Sequence, residues 1–382
     1  MIDAFWISVG FIIYPYIVYP LLLWLLTVLR RTPVYSCTDK TPALTMVVAA
    51  YNEADVIADK LENSLALDYP PDQLQIIVAS DCSDDRTDAI VAEYEDHGVS
   101  LVRLGQRSGK TVAQNEAVRH AKGDILVFSD ANSMYDQNAL RELVIPFCDD
   151  RVGCVCGELR YLNPEQRGAG KGEGFYWRYE QFLKRRESLL GALVGANGSI
   201  YALRRRLFEE LDPDVISDLI MPVCIKRRGF LVVYCPEAIA REYTPKRFTE
   251  EFRRRSRIVA RSAYGLLWKH AGVLNPLTCG LFAWQVWSHK VLRWIVPLFL
   301  ILAFVASAIS IKEQPYREFF VSQAIFYGLA LIGLLAPMSI SSRGLFYLPA
   351  YFCSINAGAL MGLWGFVTRN RYRVWKSVDR CK

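Results

Sequence analysis

The stretch ILVFSDANSMY, residues 125–135, joins an apolar segment directly to a polar one. Residues 125–129 have the composition of a buried strand, and Asp130 and Asn132 follow at its end with one small residue between them. In a parallel sheet, ligands bind beyond the carboxyl ends of the strands. The sequence therefore predicts a binding site here, with the acid and the amide as its first candidate residues.

Three other apolar runs, at 44–50, 74–79 and 100–104, precede this strand, and segments with a helical pattern separate them. Strands that alternate with helices are typical of an α/β fold with a mostly parallel sheet and helices on both faces. Because the carboxyl ends of parallel strands lie along one edge, the polar residues after these strands should share a crevice with Asp130. The clusters in question are Tyr51-Asn52-Glu53 and Asp81-Cys82-Ser83-Asp84.

The glycine motifs of common nucleotide-binding folds are missing from the sequence. It contains no GxxxxGK[ST] loop and no GxGxxG after a strand, and RSGKT at 107–111 lacks the earlier glycine of a phosphate loop. P-loop ATPases and dinucleotide-binding enzymes are therefore disfavoured. The crevice is predicted to bind a nucleotide through acidic side chains.

Hydrophobic residues make up 52% of the 382 residues and charged residues 22%, and the two groups are segregated along the chain. Four uncharged runs have the length of a transmembrane helix, and they lie at 5–29, 294–311, 319–342 and 344–368. Arg30 and Arg31 follow the first run, so the positive-inside rule places the polar middle of the chain in the cytoplasm. The ten cysteines show no CxxC pair and are expected to be free thiols, as that compartment favours.

These features divide the chain into five parts. They are an N-terminal anchor (1–32), a cytoplasmic α/β domain (41–245), amphipathic or interfacial helices (246–290), about three transmembrane helices (291–368) and a basic tail (369–382). Four spans would leave the basic tail outside, against the positive-inside rule. Either the uncharged segment 271–288 also crosses the membrane, or the tail is an exception.

The net charge of +6 is concentrated in the second half of the chain, where the basic residues flank membrane segments. This placement favours contact with anionic membrane lipids or with a diphosphate. It argues against a nucleic-acid partner.

Seven motifs, in order along the chain, resemble those of the family 2 inverting glycosyltransferases, which have the GT-A fold. They are VVAAYNEADVI (47–57), ASDCSDDRTD (79–88), RSGKTVAQNEAV (107–118), FSDANSMY (128–135), GANGSIYALRR (195–205), ISDLIMP (216–222) and RRRSRI (253–258). The chain resembles the membrane-embedded branch that includes hyaluronan, chitin-oligosaccharide and poly-N-acetylglucosamine synthases. This resemblance implies an enzyme that moves a sugar from a UDP-sugar donor to a growing extracellular polysaccharide or glycolipid.

The resemblance implies that Tyr51, Glu53 and Asp81 hold the uracil and the ribose of the donor. A carboxylate at Asp81 can accept the N–H of the uracil imide, which supports that assignment. Glu53 also suits the N-terminus of the following helix, so capping is its alternative role. Lys110 opens a helix and is expected to meet the diphosphate as a point charge.

Asp130 and Asn132 stand where the family has its DxD motif, which holds the nucleotide-sugar and a divalent metal, Mn²⁺ or Mg²⁺. A metal there stabilises the charge of the leaving diphosphate as a Lewis acid. Asn132 offers a neutral oxygen, which a hard cation accepts but binds less strongly than a carboxylate. Asn132 is therefore either a second ligand beside Asp130 or part of an Asx-type turn.

ISDLIMP aligns Asp218 with the second acid of the family's ED or DD pair, the general base. Inverting transfer needs one carboxylate that takes the proton of the acceptor hydroxyl while its oxygen attacks the anomeric carbon. Ser217 replaces the first acid, so Asp218 lacks the like charge that would raise its pKa. Both residues also suit a helix N-terminus, and the two roles are compatible.

The resemblance places Asn197 and Gly198 at the acceptor site, where glycine lets the backbone approach a sugar closely. Trp177, in FYWRYEQ (175–181), is either a platform for a sugar ring or a core residue.

Arg254 and Arg257 occupy the place of the QxxRW motif of processive members. Three residues apart on one helix face, they are predicted to clamp the diphosphate. Ile258 stands at the Trp of that motif, so single addition to a lipid-linked acceptor is the alternative to processive extension.

Two other functional classes compete with an active transferase. A catalytically idle nucleotide-sugar sensor or scaffold is suggested by Asn132 and Ser217. A transporter is disfavoured, because the predicted spans carry no internal ionisable residue.

Overall fold

The polar half of the chain folds around one mixed sheet. The computed structural model describes residues 1–31, 33, 41–162, 170–243, 248–336 and 344–370, the side chains of 170–176 and 248 excepted. In these ranges the strands are β1 (Leu44–Ala50), β2 (Leu74–Ser80), β3 (Val99–Arg103), β4 (Ile125–Asp130), β5 (Met134–Tyr135), β6 (Val152–Leu162), β7 (Ile200–Arg204) and β8 (Leu231–Tyr243). Their order across the sheet is β3-β2-β1-β4-β7-β6-β8-β5.

The first four strands confirm the predicted parallel sheet. β1 pairs in parallel with β2 and with β4, and β2 pairs in parallel with β3. Alternate residues enter two different cores, so that Val47 and Ile77 pack on one face while Met46 and Ile76 pack on the other. Burial on both faces explains why these strands are continuous apolar runs in the sequence.

The second half of the sheet is mixed. β7 runs antiparallel to both β4 and β6, β6 pairs in parallel with β8, and β8 pairs antiparallel with β5. Ile200, the first residue of β7, lies opposite Ser129 near the end of β4. The loop that precedes β7 therefore lies beside Asp130, which brings two distant motifs together.

Helices cover the sheet and continue into a membrane region. They are α1 (Ile2–Thr27), α2 (Ile57–Leu65), α3 (Thr87–Ala92), α4 (Lys110–Arg119), α5 (Ala139–Val144), α6 (Gly170–Leu189), α7 (Ser217–Arg227), α8 (Phe248–Ala263), α9 (Pro276–Ile309), α10 (Tyr316–Leu335) and α11 (Gly344–Val367). π-helical turns occur within α1 at Tyr14–Val18 and within α9 at Trp287–Val291. Gly280, with a φ of 52°, kinks α9 in its first turns.

Within the described ranges, α1, α9, α10 and α11 are long and apolar enough to cross a membrane, which matches the four predicted spans. α9 begins at Pro276, so most of the predicted interfacial segment 271–288 is the first part of this helix. α9 consequently contains His289, Lys290 and Arg293. The prediction that no span carries an internal ionisable residue is therefore wrong for α9. Most of the basic tail, 371–382, lies outside the described residues.

Among the cysteines that the structure describes, one departs from the predicted free thiol. Cys148 is disulfide-bonded, so the expectation that every cysteine is a free thiol is wrong at that position. The described free cysteines are Cys82, Cys154, Cys156, Cys224, Cys235, Cys279 and Cys353.

Candidate active site

The loop that leads into α4 is held by Asp81. Its buried carboxylate accepts the backbone N–H of Ser108 at 2.7 Å and that of Gly109 at 2.9 Å. Gly109 has a φ of 101°, a conformation that glycine adopts without strain. Burial raises the pKa of Asp81, while these N–H groups and Arg107 act in the opposite direction. Asp81 thus fixes the start of α4, where Lys110 projects into the crevice.

The ends of β1 and β2 are joined by side chains, as expected for one crevice. Asn52 Nδ2 donates to Asp84 Oδ1 at 2.5 Å, and the N–H of Asp84 donates to Asn52 Oδ1 at 3.0 Å. Tyr51 lies at the same edge, with the guanidinium of Arg107 3.7 Å from the centre of its ring. The carbonyl of Glu53 accepts the first N–H groups of α2, which fits the capping position foreseen for that residue.

Lys110, Asp130 and Asp218 converge around Gly198. Lys110 Nζ forms an ion pair with the carboxylate of Asp130 and donates to the carbonyl of Gly198 at 3.4 Å. A Cβ atom added to Gly198 would lie 2.6 Å from Asp218 Oδ2 and 3.3 Å from Lys110 Nζ. Residues from three separate motifs therefore line one small space.

Asp218 lies in the first turn of α7, and its carbonyl accepts the N–H of Ala196 at 2.8 Å. The side chain is half-buried, and its carboxylate accepts no hydrogen bond from any residue that the structure describes. Burial raises the pKa of Asp218, partly offset by the positive charge of Lys110. Neighbouring Ser217 instead donates to Gln114 on α4 at 2.7 Å. Of the two neighbouring residues, Ser217 is hydrogen-bonded to Gln114, whereas the carboxylate of Asp218 has no hydrogen-bond partner among the described residues.

Asn132 is buried in the turn after β4, and its Nδ2 has no hydrogen-bond partner among the described residues. The turn is closed by the backbone, since the N–H of Ser133 donates to the carbonyl of Asp130 at 3.1 Å. An unsatisfied buried amide is costly unless a ligand engages the group. The described part of the chain has no group of three His, Cys, Asp or Glu residues that would hold a metal alone.

Arg257 and Arg254 on α8 differ in their surroundings. Arg257 is half-buried and makes no hydrogen bond or ion pair with the described residues. Burial lowers the pKa of Arg257, as does Arg254, whereas Asp130 and Asp218 raise it, so both carboxylates lie within electrostatic range. Arg254 pairs with Glu251, with 3.1 Å between Nε and Oε2. The predicted two-arginine clamp therefore has one arginine engaged elsewhere.

Asn197 and Trp177 are engaged by the framework around the site. Asn197 accepts from Lys184 Nζ and donates through Nδ2 to the carbonyl of Gly157 at 2.7 Å. Trp177 donates through Nε1 to the carbonyl of Leu159 at 2.7 Å and packs against the core. For Trp177 this geometry fits the core alternative. Asn197 holds the loop in front of Gly198 in place.

Lys60 is a site residue that the sequence analysis missed. It is fully buried, donates to the carbonyl of Ser133 at 2.5 Å, and lies 4.1 Å from the centre of the Tyr135 ring. The sequence does indicate that Lys60 is buried, because it stands on the apolar face of its helix, beside Leu61 and three residues after Ile57. Through its hydrogen bond to Ser133, Lys60 holds the turn that carries Asp130 and Asn132.

We expect Lys60 to make the stability of the domain pH-dependent. Burial lowers the pKa of Lys60 to about 7, although Asp130 and Glu242 act in the opposite direction. Above that pH the unfolded chain keeps a proton that the folded chain has released, so stability rises with pH by up to about 1.4 kcal/mol per unit. The melting temperature of the wild type should therefore rise relative to that of Lys60→Met between pH 7 and 9. Parallel melting curves for the two proteins would contradict this assignment.

Comparison with known proteins supports the resemblance seen in the motifs. Residues 45–212 match the model of the family described as Glycosyl transferase family 2. A poly-beta-1,6-N-acetyl-D-glucosamine synthase of Staphylococcus epidermidis is 24% identical over 367 residues, covering 90% of this chain and 88% of that protein. A synthase of the same name from Staphylococcus aureus is 28% identical over 215 residues, or 54% and 52% of the two chains.

The fold also has a close counterpart among solved structures. A mannosyltransferase from Pyrobaculum calidifontis in complex with GDP-Man and Mn²⁺ superposes with a TM-score of 0.72 at 23% identity. The match covers 95% of this chain and 98% of the other. It shows that the sheet and the long apolar helices together have the fold of that solved structure. The chain is thus a membrane glycosyltransferase with a GT-A fold, and its residues 45–212 match the Glycosyl transferase family 2 model.

Proposed function

We propose that this enzyme transfers a sugar with inversion from a UDP-sugar to a growing polysaccharide, with its catalytic domain on the cytoplasmic side of the membrane. One observation carries the proposal: the unengaged carboxylate of Asp218 lies across Gly198 from the Lys110–Asp130 pair. A base and a diphosphate-binding cation are thus a few ångströms apart. The names of the relatives support a polysaccharide product. Arg30 and Arg31 after α1 support the cytoplasmic side.

On the donor side, Lys110 and Arg257 would meet the diphosphate. Lys110 lies at the N-terminus of α4, where backbone N–H groups also favour an anion. Arg257 pairs with none of the described residues and lies within electrostatic range of Asp130 and Asp218. Arginine suits a diphosphate because it can donate two parallel hydrogen bonds. Tyr51 and Glu53 would line the base and ribose. Asp81 would act mainly by holding the loop before Lys110.

Asp130 and Asn132 fit a divalent metal. Mg²⁺ is commonly held by one or two protein oxygens together with substrate phosphates, and a carboxylate oxygen of Asp130 and the amide oxygen of Asn132 are oxygens of that kind. The unsatisfied Nδ2 of Asn132 is a donor and would bind a phosphate oxygen beside the metal. When bound, Mn²⁺ or Mg²⁺ would neutralise the charge of the leaving diphosphate as a Lewis acid.

In the transfer step, Asp218 takes the proton of the acceptor hydroxyl as its oxygen attacks the anomeric carbon. The bond from that carbon to the diphosphate oxygen breaks on the opposite face, which inverts the configuration. Lys110 and Arg257 remain at the diphosphate and offset the negative charge that it gains.

The test is release of UDP by the full-length protein in nanodiscs. UDP-glucose, UDP-N-acetylglucosamine, UDP-galactose, UDP-glucuronic acid and GDP-mannose are each supplied with Mn²⁺, with Mg²⁺ or with a chelator. We expect metal-dependent release from one UDP-sugar, and sizing of the product then separates chain extension from single addition to a lipid-linked acceptor. Release from GDP-mannose alone would overturn the UDP assignment. Intact UDP binding without turnover, in the presence of saccharide and lipid acceptors, would identify a sensor.

Asn132 should set the metal requirement. We expect Asn132→Ala to raise the half-saturating Mn²⁺ concentration by about ten-fold or more, the size of effect typical of residues at a metal site. Asn132→Asp should lower that concentration, because a carboxylate adds charge to the site. Titration of UDP release with Mn²⁺ measures both. Identical Mn²⁺ dependence in all three proteins would remove Asn132 from the metal site.

A further inference from the structure

Glu242 is a buried carboxylate that the transfer mechanism does not use. It is the next-to-last residue of β8, and only 7% of it is exposed. A carboxylate is rarely buried in a protein unless hydrogen-bond donors or an opposite charge compensate it. The groups that compensate Glu242 come from two separate segments of the candidate active site.

One oxygen of Glu242 accepts hydrogen bonds from two serine hydroxyls. Ser133 and Ser199 are both buried, and both donate to Oε1 of Glu242. Ser133 directly follows Asn132 in the turn after β4. Ser199 directly follows Gly198 in the loop before β7. A single carboxylate oxygen therefore joins the turn on the donor side to the loop on the acceptor side.

Tyr135 and Lys60 complete this buried cluster. Tyr135 donates its hydroxyl to the carbonyl of Ser199 at 3.0 Å, and Lys60 Nζ donates to the carbonyl of Ser133 at 2.5 Å. Lys60 also lies within electrostatic range of Glu242, so the carboxylate has a positive group nearby. The cluster thus fixes the backbone as well as the hydroxyl of each serine.

The pairing of strands does not fix the two segments relative to each other. The ladder between β4 and β7 ends at Ser129 and Ile200, so the turn and the loop both lie beyond it and are joined there by side chains. Transfer requires an acceptor hydroxyl at Asp218 to meet a donor held at Asp130. A displacement of about 1 Å between such groups can cost on the order of 100-fold in rate.

We infer that Glu242 is a positioning residue, which holds the turn of Asp130 and the loop of Gly198 at the separation that sugar transfer requires. It acts through Ser133 and Ser199 rather than on the substrates themselves. This inference rests on the proposed function and deepens it, because it assigns the alignment of donor and acceptor to a residue of β8.

The first test compares two conservative variants of the full-length protein in nanodiscs. Glu242→Gln keeps the length of the side chain, and its amide oxygen has two lone pairs for the two hydroxyls. Glu242→Asp keeps the charge but is one methylene shorter, so it cannot hold both serines in place. We expect Glu242→Asp to lower kcat by about 100-fold, the cost of a misplaced reacting group. Glu242→Gln should stay within about ten-fold of the wild type, the difference between a charged and a neutral acceptor. The KM of the donor should change little in both variants.

The second test measures the link between the two serines without using turnover. Ser133→Ala and Ser199→Ala each leave Glu242 with one of its two hydroxyl donors, whereas the double variant removes both. Because a buried acceptor without a donor is costly, the double variant should lower the melting temperature by more than the sum of the two single variants. Ser64→Ala is the matched control. It removes a buried hydroxyl that donates to the carbonyl of Lys60 within α2, so its effect should simply add to that of either variant.

Two results would overturn the positioning role of Glu242. They are a kcat of Glu242→Asp equal to or above that of Glu242→Gln, and additive melting temperatures in Ser133→Ala, Ser199→Ala and the double variant. Normal sugar turnover by the wild type alongside either result would leave the proposed function intact and make Glu242 a structural residue only. If the wild type releases no nucleotide from any UDP-sugar, the proposed function fails, whereas non-additive melting temperatures would still support the link between the two segments.

Discussion

Asp218→Asn is expected to reduce sugar transfer by about 100- to 10,000-fold, the usual contribution of a general base. The substitution keeps the size of the side chain and removes its ability to take a proton. Asp218 is suited to this role because its carboxylate is half-buried and unengaged, while neighbouring Ser217 is tied to Gln114. Lys110 and Asp130, the groups proposed to bind the donor, are untouched, so affinity for UDP should stay within a few-fold of the wild type.

Asp212→Asn provides the matched control. Asp212 lies six residues upstream, and its carboxylate pairs with Lys269 at 2.7 Å in a partly exposed position. Such pairs contribute little, about 0–1 kcal/mol. Turnover of this variant should equal that of the wild type. Comparable turnover in Asp218→Asn and Asp212→Asn would exclude Asp218 as the base.

The pH dependence gives a second test of the same residue. Only the deprotonated carboxylate can accept the hydroxyl proton, and burial raises the pKa of Asp218. Acidification should therefore remove activity at a higher pH than it would for an ordinary aspartate. The residual activity of Asp218→Asn should lack this acid limb of the kcat/KM profile. A limb that persists in the variant belongs to another group.

Much of the donor side was predictable from local sequence. The runs that form β1, β2 and β4 are continuous and apolar because both faces of a parallel sheet are buried. Each ends in a polar cluster, and parallel pairing alone brings those ends together. Asp130 and Lys110 are therefore placed by rules that a single sequence displays.

The other side of the site depends on pairings between distant segments. Gly198 meets Asp130 only because β7 pairs antiparallel with β4, and no local pattern indicates that choice. Arg254 was assigned with Arg257 from their spacing on one helix face, yet Glu251 on the same helix provides a nearer partner. Lys290 falls in a stretch predicted to be interfacial, and its proximity to the Gly195 loop exists only in three dimensions.

Gly198→Ala is the substitution with the next largest expected effect, and it acts by shape alone. The added Cβ would lie 2.6 Å from Asp218 Oδ2, inside any normal contact distance, and 3.3 Å from Lys110 Nζ. Because the backbone of Gly198 does not have a positive φ, alanine is compatible with its conformation. The strain therefore falls on Asp218, whose carboxylate must turn away from the acceptor hydroxyl. A displacement of about 1 Å at a reacting group can cost on the order of 100-fold in rate, and we expect at least that loss of turnover.

The control for Gly198→Ala is Gly105→Ala, in the loop that leads towards α4. A Cβ atom there would have nothing within 4 Å, so this variant should retain wild-type turnover. Overpacking typically costs about 1–3 kcal/mol, so Gly198→Ala should remain folded, with a melting temperature only a few degrees lower. Its UDP affinity should change much less than its turnover, since the obstruction lies on the acceptor side of Lys110. If Gly198→Ala transfers sugar at the wild-type rate, the position of Asp218 beside the glycine is not required for transfer. The space between Gly198 and Asp218 could then no longer be assigned to the acceptor hydroxyl.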